Sequence, residues 1–126
     1  MQINRIDHLV LTVADIGRTV DFYTLALGME KIEFDEGRIA LSCGEQKINL
    51  HQLGKEYEPK AAHVSAGSAD LCFIIDTPIA EAIEHFQRNG IDLIEGPVNR
   101  TGASGKIVSA YLRDPDGNLL EVSNYI

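Results

Sequence analysis

The chain has 126 residues, 44% hydrophobic and 24% charged, the balance of one folded domain long enough to bury a core. Acidic side chains outnumber basic ones 19 to 11, and the net charge of −8 disfavours nucleic acid or an anionic membrane surface as the main partner, because both repel a net anion. Cys43 and Cys72 are too few for a disulfide framework and form no CxxC motif. Each sits in an apolar run, so buried thiols in a reducing compartment are expected.

The opening MQINRIDHLVLTV is far too short in its apolar run to span a membrane. It lacks a charged leader with a cleavage site, so a cytoplasmic location is expected. Ile6–Val13 is rich in β-branched residues and predicts a strand. Asp15 follows as a helix N-cap, and Ile16, Val20, Tyr23 and Leu27 recur at helical spacing to give one apolar stripe. Gly28 stands where a left-handed C-cap belongs. Three strands are predicted near Glu30–Phe34, Arg38–Ser42 and Lys47–Gln52, with turns at Glu36-Gly37 and Gly44-Glu45.

A polar stretch from Gly54 to Gly67 reads as a linker, and then the pattern restarts. Ala69–Ile75 is an apolar strand. Thr77-Pro78 is a cap and first turn, followed by the stripe Ile79, Ala82, Ile83 and Phe86 and a stop at Gly90. A strand near Asp92–Glu95 precedes an expected long Gly-rich loop, Gly96 to Gly105. Lys106–Leu112 and Asn118–Ser123 close the chain, joined by the turn Asp114-Pro115-Asp116-Gly117.

The order β-α-β-β-β therefore occurs twice. The expected fold class is α+β, with two βαβββ modules forming a curved, open, barrel-like sheet. The first module spans about 1–53, the linker 54–67 and the second module about 68–126. A helix covers one face of each sheet, and the other faces would line a trough suited to a ligand.

Strand alternation decides which side chains face that trough. Leu9, Leu11 and Val13 belong to the helix side, and His8, Val10 and Thr12 to the other. Leu71, Phe73 and Ile75 likewise lie behind Asp70, Cys72 and Ile74, so His8 and Asp70 hold corresponding places. Glu121 and Ser123 share a face, as do Asn49 and His51. A histidine inside a strand is often only structural. A glutamate between Leu119, Leu120 and Val122 needs a cation, a metal or solvent, because an unpaired buried carboxylate is very costly. Imidazoles and carboxylates on one cavity would suit a divalent ion. Periodicity leaves the structural and metal readings both open.

RIDHLVLTVADIGRTVDFYTLALGME resembles the opening module of the glyoxalase / bleomycin-resistance / extradiol-dioxygenase (vicinal oxygen chelate) superfamily, and YLRDPDGNLLEVSNY resembles its closing hairpin. KINLHQ, KAAHVSAGSADL and GPVNRTGASGK look closer to a small glyoxalase-domain-containing subgroup that includes virulence-associated bacterial members. The resemblance runs nearly end to end. It implies His8 and Glu121 as metal ligands. Asp70 falls where most metal-binding members place a second histidine, which favours Mn, Mg or Fe(II) over Zn. Asn49 falls where glyoxalase I-type enzymes carry a glutamate, and His51, two residues on, could substitute as a ligand.

The implied cofactor is a divalent metal ion (Mn, Fe, Ni, Zn or Mg) that a small substrate chelates through neighbouring oxygens. Glu121 or Asp70 would move the proton in a lyase or isomerase. A dioxygenase would use Fe(II) with His63 or Tyr111 as acid or base. Asn49 would contact substrate. Arg100 and Lys106, set among glycines, are expected to clamp an anion, while Lys47 and Arg113 are expected as solvated charges. The alternatives are a ligand-sequestering protein of the bleomycin-resistance type and a fosfomycin-resistance-like thiol transferase. A homodimer is expected, as is usual in the family.

Overall fold

A computed structural model describes residues 1–126. The chain divides into two compact units, Met1–Gly67 and Ser68–Ile126. The first contains β1 (His8–Val13), α1 (Ile16–Leu27), β2 (Lys31–Phe34), β3 (Arg38–Cys43) and β4 (Gln46–Gln52). The second contains β5 (Asp70–Ile74), α2 (Ile79–Arg88), β6 (Glu95–Gly102), β7 (Gly105–Arg113) and β8 (Leu119–Tyr125). The strand orders are β1-β4-β3-β2 and β5-β8-β7-β6. Each unit is thus a βαβββ module carrying a four-stranded sheet and one helix, an α+β arrangement.

Register makes the repeat quantitative. β1 runs parallel to β4 with Val10 opposite Asn49 and Thr12 opposite His51. β5 runs parallel to β8 with Cys72 opposite Glu121 and Ile74 opposite Ser123. Asn49 and Glu121 therefore occupy the same position in the two sheets, and His51 corresponds to Ser123.

α1 starts where predicted. Asp15 is extended, and its Oδ1 accepts from the Arg18 amide at 2.9 Å. It ends at Gly28, whose φ of 66° is open to glycine at little cost. The helix packs on β3 and β4. It buries Thr19, Tyr23 and Ala26, so the stripe is rotated slightly from the predicted one and Ile16, Val20 and Leu27 are only half-buried. Beneath it lie Leu11, Val13, Leu41, Ile48 and Leu50. In the second unit α2 packs Ala82 and Phe86 over β7 and β8, above Ala110, Leu112, Leu120 and Val122.

Both helix starts are held by the last strand of their own module. Gln52 Oε1 accepts from the Ile16 amide at 3.2 Å while its Nε2 donates to the Ala14 carbonyl. Asn124 Oδ1 accepts from the Ile79 amide at 2.8 Å, and its Nδ2 donates to the carbonyls of Ile75 and Thr77. This revises the expected Thr77 cap. Pro78 occupies the N-cap and makes no side-chain capping bond, so Asn124 supplies the acceptor that proline lacks.

The Gly-rich stretch 96–105 is largely not a loop. Glu95–Gly102 is an edge strand paired with β7, with a register shift between Glu95 and Val98. A Cβ at Gly96 would come within 2.8 Å of the Ala110 backbone, so glycine permits this close approach. The last turn is built on Asp114, which accepts from the amides of Asp116 and Asn118 and from Asn118 Nδ2. Asn118 Oδ1 then accepts from the Ala69 amide and anchors the start of β5.

Candidate functional site

In the first unit the sheet face opposite α1 carries His8, Val10 and Thr12 from β1, with Lys47, Asn49 and His51 from β4. His8 is exposed, and its Nδ1 lies 2.8 Å from Asp7 Oδ2. That bond holds the Asp7 carboxyl below the ordinary carboxylate range. It also fixes the His8 proton on Nδ1 and leaves Nε2 as the free lone pair.

His51 is 3% exposed and meets a different partner. Its Nε2 lies 3.4 Å from Arg38 Nη2. A guanidinium only donates, so Nε2 accepts and the ring proton sits on Nδ1. Burial, then the charge of Arg38, lower the proton affinity of His51, partly offset by Glu56. Arg38 is itself held between rings, 5.2 Å from the Phe34 centroid and 4.4 Å from Tyr57. Tyr57, from the stretch expected as a linker, makes an edge contact with His51 at 5.5 Å. Lys47 is half-buried rather than freely solvated, with its ammonium 3.6 Å from the Phe34 ring centre. Three buried atoms here lack a hydrogen-bond partner: Asn49 Oδ1, His51 Nδ1 and Glu56 Oε2.

In the second unit the open face carries Asp70, Cys72 and Ile74 from β5, Glu121 and Ser123 from β8, and Ser109 and Tyr111 from β7. Ser109 Oγ lies 2.5 Å from Glu121 Oε2 and 2.7 Å from Ser123 Oγ, and Cys72 Sγ is 3.5 Å from Ser123 Oγ. Each hydroxyl has one proton. The shortest contacts make a chain in which Cys72 donates to Ser123, Ser123 to Ser109, and Ser109 to the carboxylate.

Tyr111 stands opposite Glu121 across the β7–β8 ladder. Its hydroxyl accepts from Arg100 Nε at 3.1 Å, and Arg100 Nη2 reaches Glu95 at 3.3 Å. Desolvation raises the Tyr111 phenol above its ordinary value; Arg100 partly opposes this and Glu121 reinforces it. Tyr111 therefore keeps its proton at neutral pH.

Cys72 is exposed and Cys43 half-buried, which corrects the expectation of two buried thiols. β5 turns Cys72 to the face that α2 leaves uncovered. Desolvation on the inner side, with Glu121 and Asp70 nearby, raises the Cys72 thiol, although Ser123 lowers it. Asp70 is exposed at the start of β5. His63 is exposed outside any helix or strand. Lys106 Nζ donates to Thr101 Oγ1 at 3.1 Å, and both residues, with Asn99, Arg100 and Ile126, line an open cleft of about 350 Å³. Arg113 donates to the Gly117 carbonyl. Within either unit, no three His, Cys, Asp or Glu side chains gather closely enough to hold a metal ion.

The sequence places Ser123 on the face of Glu121 but assigns it no role, and it does not single out Asp7, Arg38, Tyr57 or Ser109. Ser109 was legible in principle, because it alternates onto the same face of β7 as Tyr111, which pairs with Glu121. The Arg38 contacts depend on long-range folding.

Paired βαβββ modules, each with a polar face opposite its helix, define a class of α+β proteins built around a ligand- or metal-bearing sheet surface. The chain belongs to the Glyoxalase/Bleomycin resistance protein/Dioxygenase superfamily, whose family model matches residues 5–122. It is 56% identical to virulence protein STM3117 of Salmonella typhimurium over 126 residues, covering 100% of this chain and 88% of the relative. The crystal structure of that protein superposes with a TM-score of 0.99 over 100% of both chains. Glyoxalase domain-containing protein RDO1 of Mycosarcoma maydis is 55% identical over 99% of this chain and 70% of its own length. A more distant relative is lactoylglutathione lyase of Escherichia coli O157:H7, 30% identical over 94% of this chain and 90% of the lyase. Metallothiol transferase FosB of Shouchella clausii is 29% identical over 95% and 80%. No helix is long and apolar enough to cross a membrane.

Proposed function

We propose that the protein is a metal-dependent enzyme of the glyoxalase/dioxygenase type, acting as a cytoplasmic homodimer on a small substrate that presents neighbouring oxygens to a divalent ion. The observation that carries this reading is Glu121. It is half-buried on the open face of the second sheet, and one carboxylate oxygen is oriented by the Ser109 hydroxyl at 2.5 Å. A carboxylate oriented by hydrogen bonds behind it is the arrangement metal ligands commonly need.

The donors differ in how well they suit a divalent ion. His8 fits, because Asp7 holds Nδ1 and leaves Nε2 available. Glu121 and the exposed Asp70 fit, and their oxygens suit a hard ion such as Mn, Mg or Fe(II). His51 fits poorly, since its Nε2 lone pair already serves Arg38 and a guanidinium repels a second cation. The proposed metal donors are therefore His8 in the first unit and Glu121 and Asp70 in the second.

When bound, the ion would stabilise negative charge developing on substrate oxygens. The chain's own residues supply the rest. Tyr111, protonated and braced by Arg100, offers a hydrogen bond or a proton toward the Glu121 side of the sheet. Asp70, exposed at the start of β5, would be the proton acceptor when it is not bound to the ion. Arg100 is occupied by Tyr111 and Glu95, so it serves Tyr111 before it serves a substrate anion. Asn49 in place of the expected glutamate favours a second reading, a ligand-binding protein that does not turn over its ligand.

Metal analysis of freshly purified protein separates the two. His8→Ala and Glu121→Ala are each expected to abolish tight metal uptake with circular dichroism unchanged. Unaltered stoichiometry in both variants refutes the metal reading. Oxygen consumption with Fe(II) would then mark a dioxygenase, and dependence on glutathione a lyase or thiol transferase.

A further inference from the structure

We propose that Asn49, His51 and Arg38 form a binding subsite, on the open face of the first sheet, for a small anion bearing a hydroxyl group next to its charge. This subsite stands on the first unit alone and does not rest on a bound metal.

Asn49 is 6% and His51 3% exposed, and the Asn49 Oδ1 and His51 Nδ1 atoms have no partner. Orphaned buried polar atoms are costly, so such a pair persists where something else satisfies it. The two side chains point to one side of β4, about 7 Å apart along the strand. Their neighbours cannot satisfy Asn49, because Val10 and Ala40 flank it across the two ladders and both are apolar.

The tautomer settles what is missing. His51 Nε2 accepts from Arg38, so Nδ1 presents an N–H donor, while Asn49 presents an acceptor. A hydroxyl oxygen accepts from the one, and its proton goes to the other. A bare carboxylate has no proton to give Asn49.

The charge comes from a separate observation. Arg38 and Lys47 both lie on the Phe34 ring, and no carboxylate lies within ion-pair distance of either, in a chain with 19 acidic residues against 11 basic. Glu56, the carboxylate that bears on His51, is taken by Lys60 at 3.5 Å. Lys47 shares the field of Asp7, whereas Arg38, held on an aromatic face with no acidic partner, is placed to meet an anion. Val10, opposite Asn49 on β1, is 44% exposed, so solvent reaches the sheet face beside the buried pair.

The test uses the full chain after EDTA treatment, with glycolate and acetate as probes, followed by ¹⁵N chemical-shift titration. Glycolate is expected to bind at least about tenfold more tightly than acetate and to shift the amides of β4. Asn49→Leu should erase the preference for glycolate while keeping the acetate affinity, and Arg38→Gln should weaken both probes. In the absence of probe Asn49→Leu should melt no lower than the parent, because it removes an unpaired buried oxygen. Equal affinity for the two probes, an unchanged preference in Asn49→Leu, or a drop of several degrees in its melting temperature would each overturn the proposal. A water bridging Asn49 and His51 as a fixed structural element predicts that last drop. Unaltered metal stoichiometry in the His8 and Glu121 variants, which refutes the metal reading, leaves these readings untouched, so the two ideas fail separately.

Discussion

Ser109 has no accessible surface, and its single hydroxyl proton governs how the Glu121 carboxylate is presented. With Ser109→Ala, Ser123 is left 3.2 Å from Glu121 Oε2 as the remaining hydroxyl donor. The expected result is metal binding weaker by about 10–100-fold, with folding stability lowered by only ~1 kcal/mol. Calorimetric titration with Mn²⁺ checks it, and equal affinity in parent and variant removes Ser109 from the support of the site. Cys72 belongs to the same chain of protons. Its position is exposed but its thiol is raised, chiefly by desolvation, so little of it is the reactive thiolate at neutral pH. It should react with a disulfide reagent at pH 7.5 more slowly than free cysteine. A faster reaction would show that the thiol is activated and that Glu121 does not hold the charge assigned to it.

At the scale of elements, each module ends by fastening the start of its own helix. Asn124 makes three hydrogen bonds to the segment 75–79 and substitutes for a cap that Pro78 lacks. Asn124→Ala should cost about 2–3 kcal/mol, from roughly 1 kcal/mol for each bond. Gln52→Ala, which loses two bonds, should cost about 1–2 kcal/mol. Urea unfolding of the two variants measures the order, and a larger loss for Gln52 would contradict it.

The sequence made some of this legible. Asp15, Gly28 and the alternation of His8, Val10 and Thr12 are local signals, and each holds in the structure. β6 was not legible. Gly96, Pro97, Asn99 and Gly102 carry no strand propensity, and the segment is extended because β7 offers it a backbone ladder. Arg38 was equally hidden. It sits between Phe34, its cross-strand partner, and Tyr57, nineteen positions away in a stretch that reads as polar linker. His8, Asp70 and Glu121 lie on the predicted faces, while the pairing of Ser109 with Ser123 beside Glu121 emerges only from the β7–β8 register.

For the molecule as a whole, the shifted groups define a window of stability. His51 is lowered from 6.5, first by burial and then by Arg38, so the unfolded chain binds a proton there that the native state refuses. The stability from this group is complete above about pH 6.5 and is lost as pH falls toward the depressed native value. Cys43 and Cys72 are raised from 9.0, mainly by desolvation. The unfolded chain loses those protons first, so stability declines as pH rises above about 9. The melting temperature should therefore be flat between about pH 6.5 and 9 and fall on either side. Replacing His51 by Gln should flatten the decline between pH 6.5 and 5 specifically, leaving the alkaline side unchanged. Far-UV circular dichroism in dilute solution keeps the measurement clear of precipitation near the isoelectric point of 4.8. If the parent melts higher at pH 5.5 than at pH 7, the native state prefers His51 charged. The Arg38 guanidinium beside it would then have to be turned away, and the donor assigned to Nδ1 would no longer follow.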